Sequence, residues 1–142
     1  MFRAGLAILL LGSFVAWCAP PPLVDPLIFD YVRFEVGETG NEATLRPFQQ
    51  KELREIADEL KASRLYVLIV GSADASEGSE SECKIISEAR ALFVYNWLAA
   101  QGLSAQLKGH KGVCKVKPAG GREAESPRWG NRRVDVVIDD QA

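Results

Sequence analysis

Val67–Val94 reads VLIVGSADASEGSESECKIISEARALFV, and the fold turns on this stretch. It opens as a short apolar run, breaks at Gly71, and passes through a polar loop that carries Asp74. It then takes up helical spacing: Ile86, Arg90, Phe93 and Trp97 recur at i, i+4, i+7 and i+11, one face of an α-helix. An arginine within an apolar face is expected to be buried or half-buried, and a buried charge needs a partner. Asp74, in the loop that launches the helix, is the acid best placed to supply one. The two together would frame a small site for an anion and a cation.

Working outward, Arg64–Gly71 (RLYVLIVG) holds apolar residues without alternation, which reads as a strand covered on both faces or central in its sheet. Upstream, Pro47 suits the first position of a helix, with Thr44 or Arg46 before it. Leu53, Ile56, Ala57 and Leu60 then give an amphipathic helix ending near Ala62. Before that, IFDYVRFEV is rich in aromatic and branched residues and favours a strand. Ser79 and Glu82 have capping-box spacing at the start of the second helix, which Gly102 should stop. SAQLKG reads as a short strand, and GHKGVCKVKPAGGREAESPRWG as a long loop. The final strand alternates Val134, Val136 and Ile138 with Arg133, Asp135 and Asp139, so Arg132 shares the parity of the buried side. Strand–helix–strand–helix–strand–strand predicts an α/β domain: a mixed sheet of about four strands, βαβαββ, with both helices on one face.

The 142 residues suffice for one domain and an appendage. A formal net charge of −2 argues against general nucleic-acid binding, which needs a basic face. Residues 1–18 have one positive charge, an apolar run and then small residues, the layout of a secretory signal. That run is too short to span a hydrocarbon core of ~30 Å comfortably. Cleavage after Cys18 puts Ala16 and Cys18 at the two small-residue positions. A second reading makes Cys18 a lipid-modified residue, although Trp17 stands where lipoprotein signals carry a small residue. An uncleaved anchor is a third. Residues 19–27 hold four prolines and predict a stiff extended spacer. The domain then occupies residues 28–142. In an exported protein the remaining thiols, Cys83 and Cys114, are read first as a disulfide. With the single His110 they fall short of a metal site. No metal or other cofactor is expected.

With these pieces placed, the chain resembles the OmpA-like carboxy-terminal domain shared by outer-membrane proteins, Pal lipoproteins and flagellar stator subunits. Gly71 and Asp74 in GSAD are similar to the family's Gly-x-x-Asp after the second strand. IISEARALFV is similar to Leu-Ser-x-x-Arg-Ala-x-x-Val, with Ser87, Arg90, Ala91 and Val94 in place. Asn131, Arg132, Arg133 and Val134 match the Asn-Arg-Arg-Val that opens the last strand. The resemblance implies non-covalent binding of peptidoglycan through the diaminopimelate of its stem peptide. Asp74 would take the ligand's ammonium and Arg90 its carboxylate, with Arg132, Asn131 and Ser87 as secondary contacts. It further implies a periplasmic, Gram-negative setting, anchored to the outer membrane if the amino terminus is retained or lipidated.

Two positions depart from the family pattern. Cys83 stands where the family usually has Asn, and Ala73 where it usually has Thr. If Cys83 bonds to Cys114, the disulfide should tie the long loop across the pocket rim. The departures sustain a second reading, in which the domain is a protein-interaction module of an envelope assembly without wall binding. An enzyme is not expected, because no nucleophilic triad, carboxylate dyad or metal cluster can be assembled.

Overall fold

A computed structural model describes residues 28–115 and 130–139. The signal segment, Cys18, the Pro-rich spacer and most of the long loop before Gly130 lie outside these residues. The elements run β1 (Ile28–Arg33), α1 (Pro47–Ser63), β2 (Val67–Asp74), α2 (Glu80–Leu98), β3 (Leu107–Lys115) and β4 (Arg133–Ile138). The strands form one sheet in the order β1-β4-β2-β3. β4 is antiparallel to both its neighbours, while β2 and β3 are parallel. This is the expected mixed sheet with two helices. β2 is indeed central, but Leu68 and Val70 on its far face are only half-buried. Central position, rather than cover on both faces, accounts for its unbroken apolar run.

The core gathers Leu53, Ile56 and Leu60 of α1, Ala91, Val94 and Leu98 of α2, and Val32, Ile69, Val134 and Val136 of the sheet. α1 starts at Pro47 with Arg46 as its cap residue, and Leu53, Ile56, Ala57 and Leu60 are all buried as their spacing predicts. α2 starts with the Ser79–Glu82 capping box. At its far end the α-helix stops at Leu98. A single π-type turn then continues to Leu103, with Gly102 at φ 86° closing it.

Two expectations need correction. The buried stripe of α2 is Cys83, Ser87, Arg90, Ala91, Val94 and Leu98. Ile86, Phe93 and Trp97 lie at its half-buried edge. The helix is rotated from its most hydrophobic phase because small residues let it approach the sheet closely. A Cβ on Gly71 would collide with the carbonyl oxygen of Ser87 and come 2.9 Å from the amide nitrogen of Ala91. A Cβ on Gly112 would lie 2.5 Å from Ser87 Oγ. Second, β3 continues through His110 and Cys114, so the assigned loop begins as an edge strand. Its run of small and polar residues hid the strand from pattern reading.

Candidate functional site

Asp74 ends β2, and from there the chain makes a tight 3-10 turn, Ala75–Glu77, before entering α2. The turn is knotted by reciprocal bonds. Asp74 Oδ1 accepts from the Ser76 amide at 2.9 Å, and Glu77 Oε2 accepts from the Asp74 amide at 2.9 Å. Gly78 follows at φ 154°, a conformation L side chains rarely adopt, and releases the chain towards Ser79.

Arg90 is fully buried, as its place in the helix predicts. Its ion-pair partner is Glu77, however, and not Asp74. Arg90 Nη1 donates to Glu77 Oε2 at 2.9 Å and Nη2 to Oε1 at 2.6 Å, a two-pronged pair with neither side chain exposed. Its other donors reach main-chain carbonyls: Nε to Glu38 at 2.6 Å, Nη1 to Ser72 at 3.0 Å and Nη2 to Glu35 at 2.8 Å. The five N–H groups of a guanidinium thus meet five acceptors. Phe34 lies beneath, with its ring centre 5.4 Å from the guanidinium carbon. Spacing alone does not single out Glu77, which follows Asp74 by three in a polar loop. Its position as the residue that completes a capping box with Asp74 was the available signal.

The Glu77 carboxylate is itself saturated. Besides Arg90 and the Asp74 amide, it accepts from the Gly37 amide at 2.8 Å, in the loop after β1. Burial pushes this carboxyl up. The Arg90 guanidinium and the Gly37 and Asp74 amides outweigh that and hold it below the ordinary glutamate range. Four donors from three separate parts of the chain therefore converge on one carboxylate.

Asp74 is equally buried. Its Oδ2 accepts from Asn131 Nδ2 at 2.7 Å, which joins the end of β2 to the start of β4. Arg132 is buried beside Asn131, on the parity expected. Ser87 does not join this group. It faces the sheet, donates to the Lys84 carbonyl at 2.9 Å and packs against Gly112. Asp74, Asn131, Glu77 and Arg90 thus form one connected cluster at the end of β2.

Cys83 and Cys114 are bonded, as expected. Because β3 extends to Lys115, the bridge ties the first turn of α2 to the edge strand and not to the following loop. Cys83 is buried, with its sulfur 3.5 Å from the Ala73 carbonyl oxygen. A cleft of about 290 Å³, lined by Ala75, Gly78, Glu80 and Cys114, lies between the bridge and the turn. Among the described residues no group of three His, Cys, Asp or Glu side chains could hold a metal, and no helix is long and apolar enough to cross a membrane.

Residues 39–126 match the OmpA family. Outer membrane protein A of Bordetella avium is 28% identical over 120 residues, 84% of this chain and 60% of that protein. The peptidoglycan-binding protein ArfA of Mycobacterium tuberculosis is 30% identical over 100 residues, 70% of this chain and 31% of that protein. The chain therefore spans less than two thirds of either relative. Among solved structures, the peptidoglycan-associated lipoprotein from Burkholderia pseudomallei superposes with a TM-score of 0.64 at 25% identity, covering 78% of this chain and 90% of that one. The cell wall anchor of the T6SS from Pseudomonas aeruginosa gives 0.60 at 24% identity, covering 76% and 78%, and shares the fold.

Proposed function

The chain belongs to the OmpA family, a family of binding domains rather than enzymes, and we propose that it binds cell-wall peptidoglycan non-covalently, anchoring an envelope component to the wall. The finer part of the proposal is the ligand group: the diaminopimelate of the stem peptide, whose free end carries an ammonium and a carboxylate. The observation that carries it is a buried carboxylate and a buried guanidinium brought into one connected cluster at the end of β2. Asp74 is held there by Asn131, and the Arg90 fork in the same cluster already grips a carboxylate, that of Glu77, with two parallel donors. A guanidinium fork fits a planar carboxylate in two places at once, which a lysine could not do. The relative named for peptidoglycan binding supports the wall as the target. On this reading the protein works in the periplasm of a Gram-negative bacterium, held to a membrane, if at all, through residues 1–27.

A second reading has an observation in its favour. Both Asp74 and Arg90 are fully buried, and the guanidinium is already saturated. A domain locked in that state would serve as a protein-interaction module in the envelope instead.

Co-sedimentation with purified sacculi separates the two. Wild type should pellet with diaminopimelate-type sacculi and pellet poorly with lysine-type sacculi, whose third residue lacks the carboxylate. Asp74→Asn and Arg90→Lys, accepted for assay only if they unfold cooperatively, should stay in the supernatant. Wild type remaining in the supernatant with both wall types would overturn wall binding in favour of the interaction module. Equal pelleting with both would remove diaminopimelate as the ligand.

A further inference from the structure

The carboxylate on Arg90 is supplied by the protein itself. We propose that Glu77 is a built-in stand-in for the ligand's carboxylate, and that the Ala75–Glu77 turn is a gate which must open for the site to be filled. This rests on the wall-binding reading for the identity of the ligand, but not for the existence of a carboxylate seat.

The seat is defined by four donors: Arg90 Nη1 and Nη2 and the amides of Gly37 and Asp74. None of the four lies on the turn that carries Glu77, so withdrawing Glu77 leaves all four aimed at one vacated carboxylate position. Arg90 would keep its carbonyl partners at Ser72, Glu35 and Glu38, which hold its fork in place without Glu77. An incoming carboxylate replaces like with like: one negative charge leaves the seat and one enters. Exchange therefore avoids stranding a buried cation, the costly alternative.

The same turn also covers Asp74. Its opening breaks the bond from the Ser76 amide to Asp74 Oδ1, so one oxygen of Asp74 is uncovered in the same movement that empties the Arg90 seat, while Asn131 keeps the other oxygen in place. The turn is short, with Ser76 and Gly78 exposed. Among the described residues, a cleft of about 290 Å³ lies on its flank. Gly78 is a natural pivot, because its backbone is already in a region that only glycine adopts easily. α2 below the pivot is fixed to β3 by the disulfide, so the movement is confined to the turn.

The test is chemical rescue. Glu77→Ala empties the seat, and free acetate at tens of millimolar should raise its melting temperature above that in matched chloride. Wild type should show no such difference, and neither should Glu77→Ala combined with Arg90→Gln. Glu77→Gln, which keeps one oxygen acceptor and the shape of the side chain, guards against a variant that does not fold. It should bind free meso-diaminopimelate at least tenfold more tightly than wild type by calorimetry. Acetate-blind Glu77→Ala together with unchanged affinity in Glu77→Gln would make Glu77 a purely structural partner and overturn the gate, even if wild type pellets with sacculi. Acetate rescue in a protein that never pellets would leave the seat standing and remove the wall as its target. If Glu77→Ala fails to fold in either salt, the Glu77→Gln affinity decides alone.

Discussion

Replacing Gly71 with alanine should damage this protein more than any other single methyl addition within β2. Gly71 lies where α2 crosses the sheet. The new Cβ would run into the Ser87 carbonyl oxygen, stand 2.9 Å from the Ala91 nitrogen and 3.0 Å from the Ala91 Cβ. Two of these three atoms are helix backbone, which no rotamer change can move. The helix must lift as a body, and it is the element that packs on both β2 and β3. Overpacking of a core costs about 1–3 kcal/mol, and a clash against backbone belongs at the upper end, ~3 kcal/mol. For a domain of residues 28–142, with an unfolding entropy of about 2.1 cal/mol/K per residue, that corresponds to a fall in melting temperature of roughly 12 °C. Circular dichroism melts of wild type, Gly71→Ala and Gly71→Ala with Ala91→Gly make the check. Shortening Ala91 removes the mildest contact and leaves the carbonyl clash, so the double variant should recover only a small part of the loss. A Gly71→Ala protein melting within 2 °C of wild type, or full recovery in the double variant, would refute this account of helix–sheet packing.

Two further outcomes follow from the same geometry. Breaking the Cys83–Cys114 bridge, which spans 31 positions, should lower stability by about 3–4 kcal/mol on the chain-entropy account. Urea unfolding of wild type with and without reductant, and of Cys83→Ala with Cys114→Ala, measures this, and coincident midpoints would contradict it. The Glu77 carboxyl titrates lower in the folded protein than in the unfolded chain. Its contribution is therefore fully present above the unfolded glutamate range near ~4.3 and is lost as pH falls through the lower folded value. Stability measured from pH 6 down to 2 should fall less steeply below ~4.3 in Glu77→Gln than in wild type; parallel curves would mean that Glu77 is not a source of the acid sensitivity.

Periodicity and breakers made most of the fold legible. Leu53, Ile56, Ala57 and Leu60 announced α1, the Ser79–Glu82 box announced α2, and the Val67–Val70 run announced the central strand. The strand HKGVC was not legible, because an edge strand needs backbone partners more than apolar side chains. The phase of α2 misled for a related reason. Hydrophobicity placed Ile86, Phe93 and Trp97 inwards, whereas the close approach at Gly71 and Gly112 demands Ser87 and Ala91 there. Arg90 was conspicuous as a charge on an apolar face, and Asn131 reached Asp74 through a motif read from the resemblance. The Arg90 partner was misassigned because loop spacing does not say which of two acids three residues apart will turn inwards. Asp74 stays at the strand end as a cap, and its capping partner Glu77 is folded back beneath it.

That division of labour between the two acids has a consequence for affinity. If the seat on Arg90 is filled by Glu77 in the resting protein, a ligand's carboxylate gains little there, since it makes the bonds that Glu77 gives up. A ligand bearing a carboxylate alone must also compete with a tethered group whose effective concentration is millimolar or more. The net gain has to come from what Glu77 lacks, an ammonium for Asp74 and the remainder of the stem peptide. Observed affinity is further scaled by the fraction of molecules with the turn open: an open fraction of about 1% weakens binding by ~100-fold. On these grounds the two charged residues contribute differently. Arg90 sets which end group can enter, by admitting only what can replace a carboxylate, whereas Asp74 supplies the surplus that keeps the gate open. Wild type should then ignore acetate and respond to diaminopimelate, and Asp74→Asn should cost affinity by the same factor in wild type and in Glu77→Gln, because the open fraction multiplies both; unequal losses would mean that Asp74 and Glu77 are coupled through more than the gate.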